Sequence, residues 1–350
     1  MFFRQENKIV TAIDIGTASI KSVAIIRDGE RLLLNNYNEI YSASYVGKDV
    51  GQYAKMGYLE MGKIISDSYN ELKVKTDLLV MGIPASECIF KNVKIPTHVL
   101  NATEDKNLID NIIKLEFKKN TIGLDILNYN FTFSEINQNQ NEREYLVLAI
   151  KKEYISNISS IASSINKNYI IEPNIFGGIA MLPHEIGVNN VLLNIGANNI
   201  NIVFINDGKI VGVENIEQGI NKVIFNVKTS MLLGYREARE SVFAFDYLNE
   251  EDLILKDIIK LSTINLINDI IDVLNRYELR YNVKYNKVYI GGSSAKILNT
   301  KIFYENHLKK EVAIMRPFER IEMPQVLQDS LVKDSAVFMN SIGLAINHVN

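Results

Sequence analysis

Apolar residues run along this chain in short blocks set off by polar turns, and two of the blocks share one plan. Ile9–Ile26 reads IVTAIDIGTASIKSVAII, and Asn189–Val211 reads NNVLLNIGANNINIVFINDGKIV. Each is an apolar strand, one polar residue, Ile-Gly, a small polar turn and a second apolar strand. The polar residues, Asp14 and Asn194, stand 180 positions apart (194 − 14), which predicts two related halves presenting hairpins to a shared cleft.

Between and after these hairpins the pattern alternates between strand and helix periods. The first hairpin turns at Arg27–Glu30, and Arg31–Asn35 predicts a third strand of an antiparallel meander. Over 58–73, Leu59, Met61, Ile64, Ile65, Tyr69 and Leu72 follow helical spacing, with Gly62 the weak point, and Asp77–Ile83 reads as a strand. Pro84 and Pro96 bracket a strand at Cys88–Ile95. Asn101–Glu104 has capping-box spacing ahead of Leu108, Ile112 and Leu115 on one face. Alternating Tyr129, Phe131 and Phe133, a polar tip at Asn137–Arg143 and a return strand at Tyr145–Ile150 predict a hairpin, followed by a helix over Glu153–Ile165. Residues 85–165 are thus expected to form an α+β unit inserted into the first half.

Tyr169–Glu172 predicts a strand, and Pro173 the start of a helix through Phe176, Ala180 and Met181. In the second half, Glu250–Tyr281 carries Leu255, Ile259, Leu266, Ile270, Leu274 and Tyr277 at helical spacing. Lys287–Ile290 is a short strand ending in Gly291-Gly292-Ser293-Ser294, where a glycine pair brings backbone N–H groups close to a ligand. Asp334–Val349 closes the chain as a helix. The expected division is a first lobe of 1–84, 166–188 and 334–350, an insert of 85–165 and a second lobe of 189–333.

Composition narrows the classes. A length of 350 residues exceeds one comfortable core, and a net charge of −3 with Lys and Arg dispersed among acids argues against a nucleic-acid footprint. The single cysteine, Cys88, excludes an internal disulfide and any Cys-based metal site, as a reducing cytoplasm would favour. The first residues lack a signal-peptide pattern and no apolar run reaches membrane-spanning length, so a cytoplasmic protein is expected. His98, His184, His307 and His348 are scattered without metal-ligand spacing and are given no chemistry.

The repeated turns carry the candidate chemistry. At a strand end, Asp14 can hold water or a water-ligated magnesium ion, Gly16, Thr17 and Ser19 offer N–H and hydroxyl groups to phosphate oxygens, and Lys21 adds a cation. Asn194, Gly196 and Asn198 can bracket the same phosphates from the other side. An ordinary polar hairpin turn explains either copy alone. Two facing copies followed by a glycine-pair strand favour nucleotide binding.

These motifs resemble those of the actin-like ATPase superfamily, which includes actin, MreB, FtsA and the heat-shock chaperone ATPases. DIGTASIK is similar to its first phosphate loop, NIGANN to its second and YIGGSSAKI at Tyr289–Ile297 to its adenosine-contacting loop, which implicates Gly291, Gly292 and Ser293. Ile342–Ala345 resembles its last-helix segment. IIEPNIFGGIA resembles the Glu-Pro helix start, which implies a water-positioning role for Glu172, although a carboxylate at a helix start is also simply stabilising. A closer resemblance is to the type IV pilus assembly protein PilM family, through GIPASECIFKNVKIP at Gly82–Pro96, Thr121–Tyr129, Arg316–Ile321 and Ser341–Ala345.

The resemblance implies an α/β fold of two lobes of duplicated mixed sheet with an FtsA-type insert, and ATP with Mg2+ in the cleft. It implies a cytoplasmic scaffold holding the N-terminal peptide of a PilN-like inner-membrane protein between the first lobe and the insert, near Ile83, Pro84, Val93, Ile95 and Pro96. The membrane is then reached only through that partner, and self-association is a further expectation. Relatives have Asp where this chain has Asn194; near the adenosine they have a glycine pair, an acid and a lysine where it has Gly219-Ile220, Arg239 and Val242. These departures imply weak ATPase activity at most. The alternatives are an FtsA-like division polymer, disfavoured by the chain's ending without an amphipathic tail, and a small-molecule kinase with Glu172 or Asp14 as base.

Overall fold

The computed structural model describes residues 8–41, 57–102, 105–121, 123–183, 188–324 and 335–349. His184, Thr103, Glu104 and Asp334, which figure in the expectations above, lie outside them.

In the first lobe, β1 (Lys8–Ile15), β2 (Ser19–Asp28) and β3 (Arg31–Tyr41) form the expected meander, which runs six residues past Asn35. After α1 (Tyr58–Glu71), β4 (Leu78–Ile83) lies parallel to β1, and β8 (Tyr169–Pro173) parallel to β4, giving the order β3-β2-β1-β4-β8. The second lobe repeats this plan. There β9 (Asn190–Ile195), β10 (Ile200–Asn206) and β11 (Lys209–Ile216) are antiparallel, while β12 (Lys287–Gly292) and β13 (Glu311–Ile314) add in parallel, in the order β11-β10-β9-β12-β13. Central strands covered on both faces are mostly apolar: β4 and β9 are buried end to end, with Asn190 and Asn194 the polar members of β9.

The insert holds a three-stranded sheet, order β5-β7-β6, of β5 (Cys88–Pro96), β6 (Tyr129–Gln138) and β7 (Glu142–Lys151), with α2 (Thr97–Asn101) and α3 (Lys106–Lys119). Its own core gathers Val93, Ile95, Leu100, Ile113, Phe117, Tyr145, Val147 and Ala149. The cap of α3 is Asp105, whose carboxylate accepts from the Asn107 N–H at 2.9 Å, so the helix starts after the 101–104 segment rather than within it. One expectation needs moving. The helix α4 (Lys152–Ile165) buries Tyr154, Ile158 and Ala162 among Met61, Ile64, Ile65, Met81 and Ile83, so it covers the first lobe's sheet instead of completing the insert. Periodicity shows that a face is apolar, not what it meets.

Around the second sheet lie α6 (Ile220–Met231), α7 (Tyr235–Ala244), α8 (Leu253–Tyr281) and α9 (Thr300–Leu308). Of these only α8 was expected, and it starts where the Asp252 carboxylate accepts from Ile254 and Leu255. The short α5 (Ile175–Ala180) begins two residues after Pro173, which instead ends β8. The last helix, α10 (Met339–Val349), follows a single 3-10 turn, Ser335–Phe338. Together α5 and α10 pack into a core shared by both lobes, with Val10, Val23 and Val80 from one sheet and Leu192, Val203 and Tyr289 from the other. Ile342 and Leu344 are fully buried there, each worth roughly 1.5–3 kcal/mol of apolar burial. The two helices cross backbone to backbone: a Cβ at Gly343 would collide with the Gly177 carbonyl.

The insert also touches the second lobe. Ile136 of β6 joins that lobe's core, the Asn92 amide of β5 donates to the Val211 carbonyl and the Tyr281 hydroxyl, both at 2.7 Å, and buried Glu144 of β7 pairs with Arg280 of α8.

Candidate functional site

Both repeated hairpins close with the same four-residue turn. The Gly16 N–H donates to the Ser19 carbonyl at 3.1 Å and the Gly196 N–H to the Asn199 carbonyl at 2.9 Å, between the strand pairs Ile15–Ile20 and Ile195–Ile200. The turns face one another across a cleft of about 70 Å³ between the lobes. Asp14, Gly16, Thr17, Ser19 and Lys21 line one wall; Asn194, Gly196, Gly292 and Ser293 line the other. Gly292 has φ +85, and a Cβ there would strike the Ile195 carbonyl, so the close approach of this strand end to the second turn demands glycine.

Strand register explains why these side chains converge. In the first sheet Glu172, Gly82, Asp14, Lys21 and Glu39 are direct neighbours in one row across five strands. In the second, Gly291, Asn194, Asn201 and Asn215 form the matching row. Asp14, Lys21 and Glu39 of the first lobe are therefore matched by the amides Asn194, Asn201 and Asn215 in the second.

Asp14 is buried, and burial pushes its carboxyl above the usual aspartate value; the Lys21 charge and amide hydrogen bonds from Asn174 and Asn340 work against that push. The Asn174 amide donates to Asp14 Oδ1 at 2.7 Å, and Asn340 lies 3.5 Å from Oδ2. The amide oxygens of Asn174, Asn340 and Asn201 are buried without a hydrogen-bond partner, and all three residues line the cleft. Buried acceptors without donors are costly, so these three asparagines, two beside Asp14 and one beside Asn194, offer acceptors that a ligand or its water shell could fill. Neither Asn174 nor Asn340 stands near a repeated motif, and no spacing pointed to them. Asn201 did have a signal: it is the counterpart of Lys21 at the same 180-residue offset (201 − 21). Ser86, in the turn leading from β4 into the insert, also lines the cleft and was missed.

Several expected residues stand behind the lining. Asn198 accepts from the Asn221 amide at 2.6 Å. Gly219 backs onto the Gly196 and Ala197 carbonyls, which accept from the first N–H groups of α6, so it braces the second turn. Gly291 packs against Met339. Glu172 shares the row of Asp14, but Leu344 of α10 covers the intervening Gly82, and the Glu172 carboxylate lies 3.0 Å from His348 Nε2. Val242 is fully buried in the second lobe's core. Among the residues expected to hold a peptide, Ile83, Val93 and Ile95 are buried in cores, Pro84 lines the cleft, and Pro96 alone is exposed. The buried members follow the alternation of a half-buried strand, whose apolar side chains face inward. Among the described residues, no cluster of three His, Cys, Asp or Glu side chains forms a direct metal site.

A family model described as type IV pilus assembly protein PilM matches residues 12–349. No curated protein matches the chain. Among solved structures, the chain resembles one in a PilM–PilN type IV pilus biogenesis complex, at 15% identity and a TM-score of 0.80 over 97% of this chain and 98% of that one. It also resembles the ethanolamine utilization protein EutJ from Carboxydothermus hydrogenoformans (12% identity, TM-score 0.55, 98% and 91% covered). MreB5 of Spiroplasma citri bound to ADP is a third (10% identity, TM-score 0.56, 97% and 96% covered). These likenesses establish the actin-like ATPase fold. With both lobes, the insert and the final helix inside the family match, the chain belongs to the type IV pilus assembly protein PilM family.

Proposed function

We propose that the chain is a cytoplasmic scaffold of type IV pilus or related secretion machinery, binding ATP with Mg2+ in the interlobe cleft and the N-terminal peptide of a PilN-like inner-membrane protein beside the insert. The observation that carries the nucleotide part is the convergence of two turns closed by the same hydrogen bond on one cleft, lined by three asparagines whose amide oxygens are buried and unpartnered. A hydrated Mg2+ fits that wall: one carboxylate, Asp14, and several acceptors suit an ion that keeps its waters and binds mainly through phosphates. Bound there, the ion would supply charge neutralisation of the phosphates. Asn174, Asn201 and Asn340 would orient its waters, and Lys21 would pair with a phosphate oxygen.

Binding rather than turnover is the reading these residues support. Asn194 brings no carboxylate to the second turn, and Glu172 stands behind Leu344. The peptide is expected at the junction of the insert with the first lobe, where a groove of about 530 Å³ runs past Leu124, Tyr129 and Lys152. The PilN-like partner is the proposed attachment to the membrane; among the described residues no helix is long and apolar enough to cross one.

Calorimetry with ATP and Mg2+ tests the first part. Wild type should bind, and Gly16→Asp, which puts a side chain against the Ser19 carbonyl and a negative charge beside the phosphates, should not. Equal, negligible binding by both proteins would reduce the cleft to architecture. Fluorescence anisotropy with the partner's N-terminal peptide tests the second part; no binding with or without nucleotide refutes it.

A further inference from the structure

Glu39 does not line the cleft, yet it is the centre of the polar contacts at its edge. One carboxylate oxygen accepts from Ser19 Oγ at 2.7 Å and lies 3.5 Å from Lys21 Nζ; the other lies 3.9 Å from Lys296 Nζ. Lys296 belongs to the second lobe, in the turn that begins at Ser293, so Glu39 joins cations from both lobes. Two residues further along β3, Tyr41 receives a hydrogen bond from Arg239 of α7 at 2.8 Å, and the Arg239 guanidinium stands 4.8 Å from the centre of its ring. Tyr41 in turn hydrogen-bonds Glu39. Two second-lobe cations thus meet one first-lobe strand at the same place.

Burial gives these contacts weight. Side-chain exposure is 10% for Lys21, 16% for Glu39 and 18% for Lys296, against 59% and 43% for the surface pair Arg31–Asp28. Exposed pairs contribute little, whereas removing one partner from a desolvated set leaves an uncompensated charge.

We propose that Glu39 is a built-in anion that occupies Lys21 and Lys296 in the ligand-free molecule, tying the lobes together and setting the charge a ligand must bring. The proposal rests on the cleft being a nucleotide site. An incoming phosphate competes with Glu39 for Lys21 and must also release it from Lys296, since a carboxylate left beside phosphate oxygens is repelled. A nucleoside triphosphate or diphosphate has a phosphate group to offer Lys21 besides those that hold its magnesium ion. A monophosphate has a single group for both.

The test compares wild type with Glu39→Gln, which keeps the shape and removes the charge, and with Lys296→Met, which breaks the same contact from the other lobe. Two readouts are taken: hydrogen exchange of residues 14–19 and 194–199 without ligand, and calorimetric affinity for ATP, ADP and AMP with Mg2+. Both variants should exchange faster in the two turns without ligand. Glu39→Gln should bind ATP about tenfold more tightly than wild type does and AMP by a larger factor, narrowing the preference for ATP. Weaker ATP binding by Glu39→Gln would make Glu39 a ligand contact and overturn the proposal. So would unchanged ligand-free exchange in both variants, which would leave only a general field effect. Failure of the underlying nucleotide reading looks different: neither wild type nor variant then binds ATP, and the proposed charge selection falls with it.

Discussion

Burial pushes the Asp14 carboxyl above its ordinary value of 3.8, and Lys21, Asn174 and Asn340 offset only part of the push. The folded state therefore holds that proton more tightly than the unfolded chain does, so stability falls as pH rises through the interval above 3.8. Asp14→Asn should accordingly raise the thermal midpoint at pH 7, by a few degrees, and the gain should shrink towards pH 4; thermal melts across that range check it. The same variant should lose the magnesium dependence of ATP binding. At Gly292 the cost has a different origin. An alanine there meets both a positive φ and the Ile195 carbonyl, so Gly292→Ala should lose about 1–3 kcal/mol in denaturant titrations. How far these residues were legible follows from where their signals lie. Asp14, Gly16, Asn194 and Gly196 announce themselves by repetition, whereas Asn174, just before α5, and Asn340, on α10, reach the cleft from elements whose position only the fold decides. Glu172 shows the limit of a motif: it sits in the expected row, yet a leucine from 172 residues later (344 − 172) stands between it and the cleft.

At the scale of elements, strands were read better than helices. Short apolar runs bounded by polar turns fixed β1, β2, β9 and β10, while α6 was left unassigned although Ile220, Val223, Ile224 and Val227 carry a helical stripe. The face of α4 was recognised, but only packing shows that it covers the first lobe's sheet. The contact of α10 with α5 gives a sharp expectation. Because Gly343 and Gly177 meet backbone to backbone, Gly343→Val should overpack the crossing and destabilise the protein by about 1–3 kcal/mol or more, seen as a lower denaturant midpoint. Glu39 on β3 adds a pH effect of opposite sign to that of Asp14. Burial alone would raise its carboxyl, but Lys21, then Lys296, Ser19 and Tyr41 hold it below its ordinary 4.5. Its contribution is complete above 4.5 and is lost as pH falls through its lower folded-state value, so acid should open the cleft edge, as faster exchange at residues 39–41.

Across the whole molecule, the duplicated plan was visible because both halves kept their strand–turn–strand blocks, whereas the insert's second docking site was not. Nothing in the spacing of Asn92, Ile136 and Glu144 shows that they meet Val211, Tyr281 and Arg280. Glu144→Ala should loosen that contact, and hydrogen exchange should rise in β5–β7 and at the C-terminal end of α8 while the cleft turns stay protected. The route of the chain adds one more consequence. It reaches α10 only after the strands of the second lobe, and α10 then meets α5 at Gly343 and Gly177 and sets Ile342, Leu344 and Ala345 against Val10, Val23 and Val80. That helix is the keystone of the first lobe: until it is in place, one face of the sheet lacks part of its cover, so the half begun first is locked last.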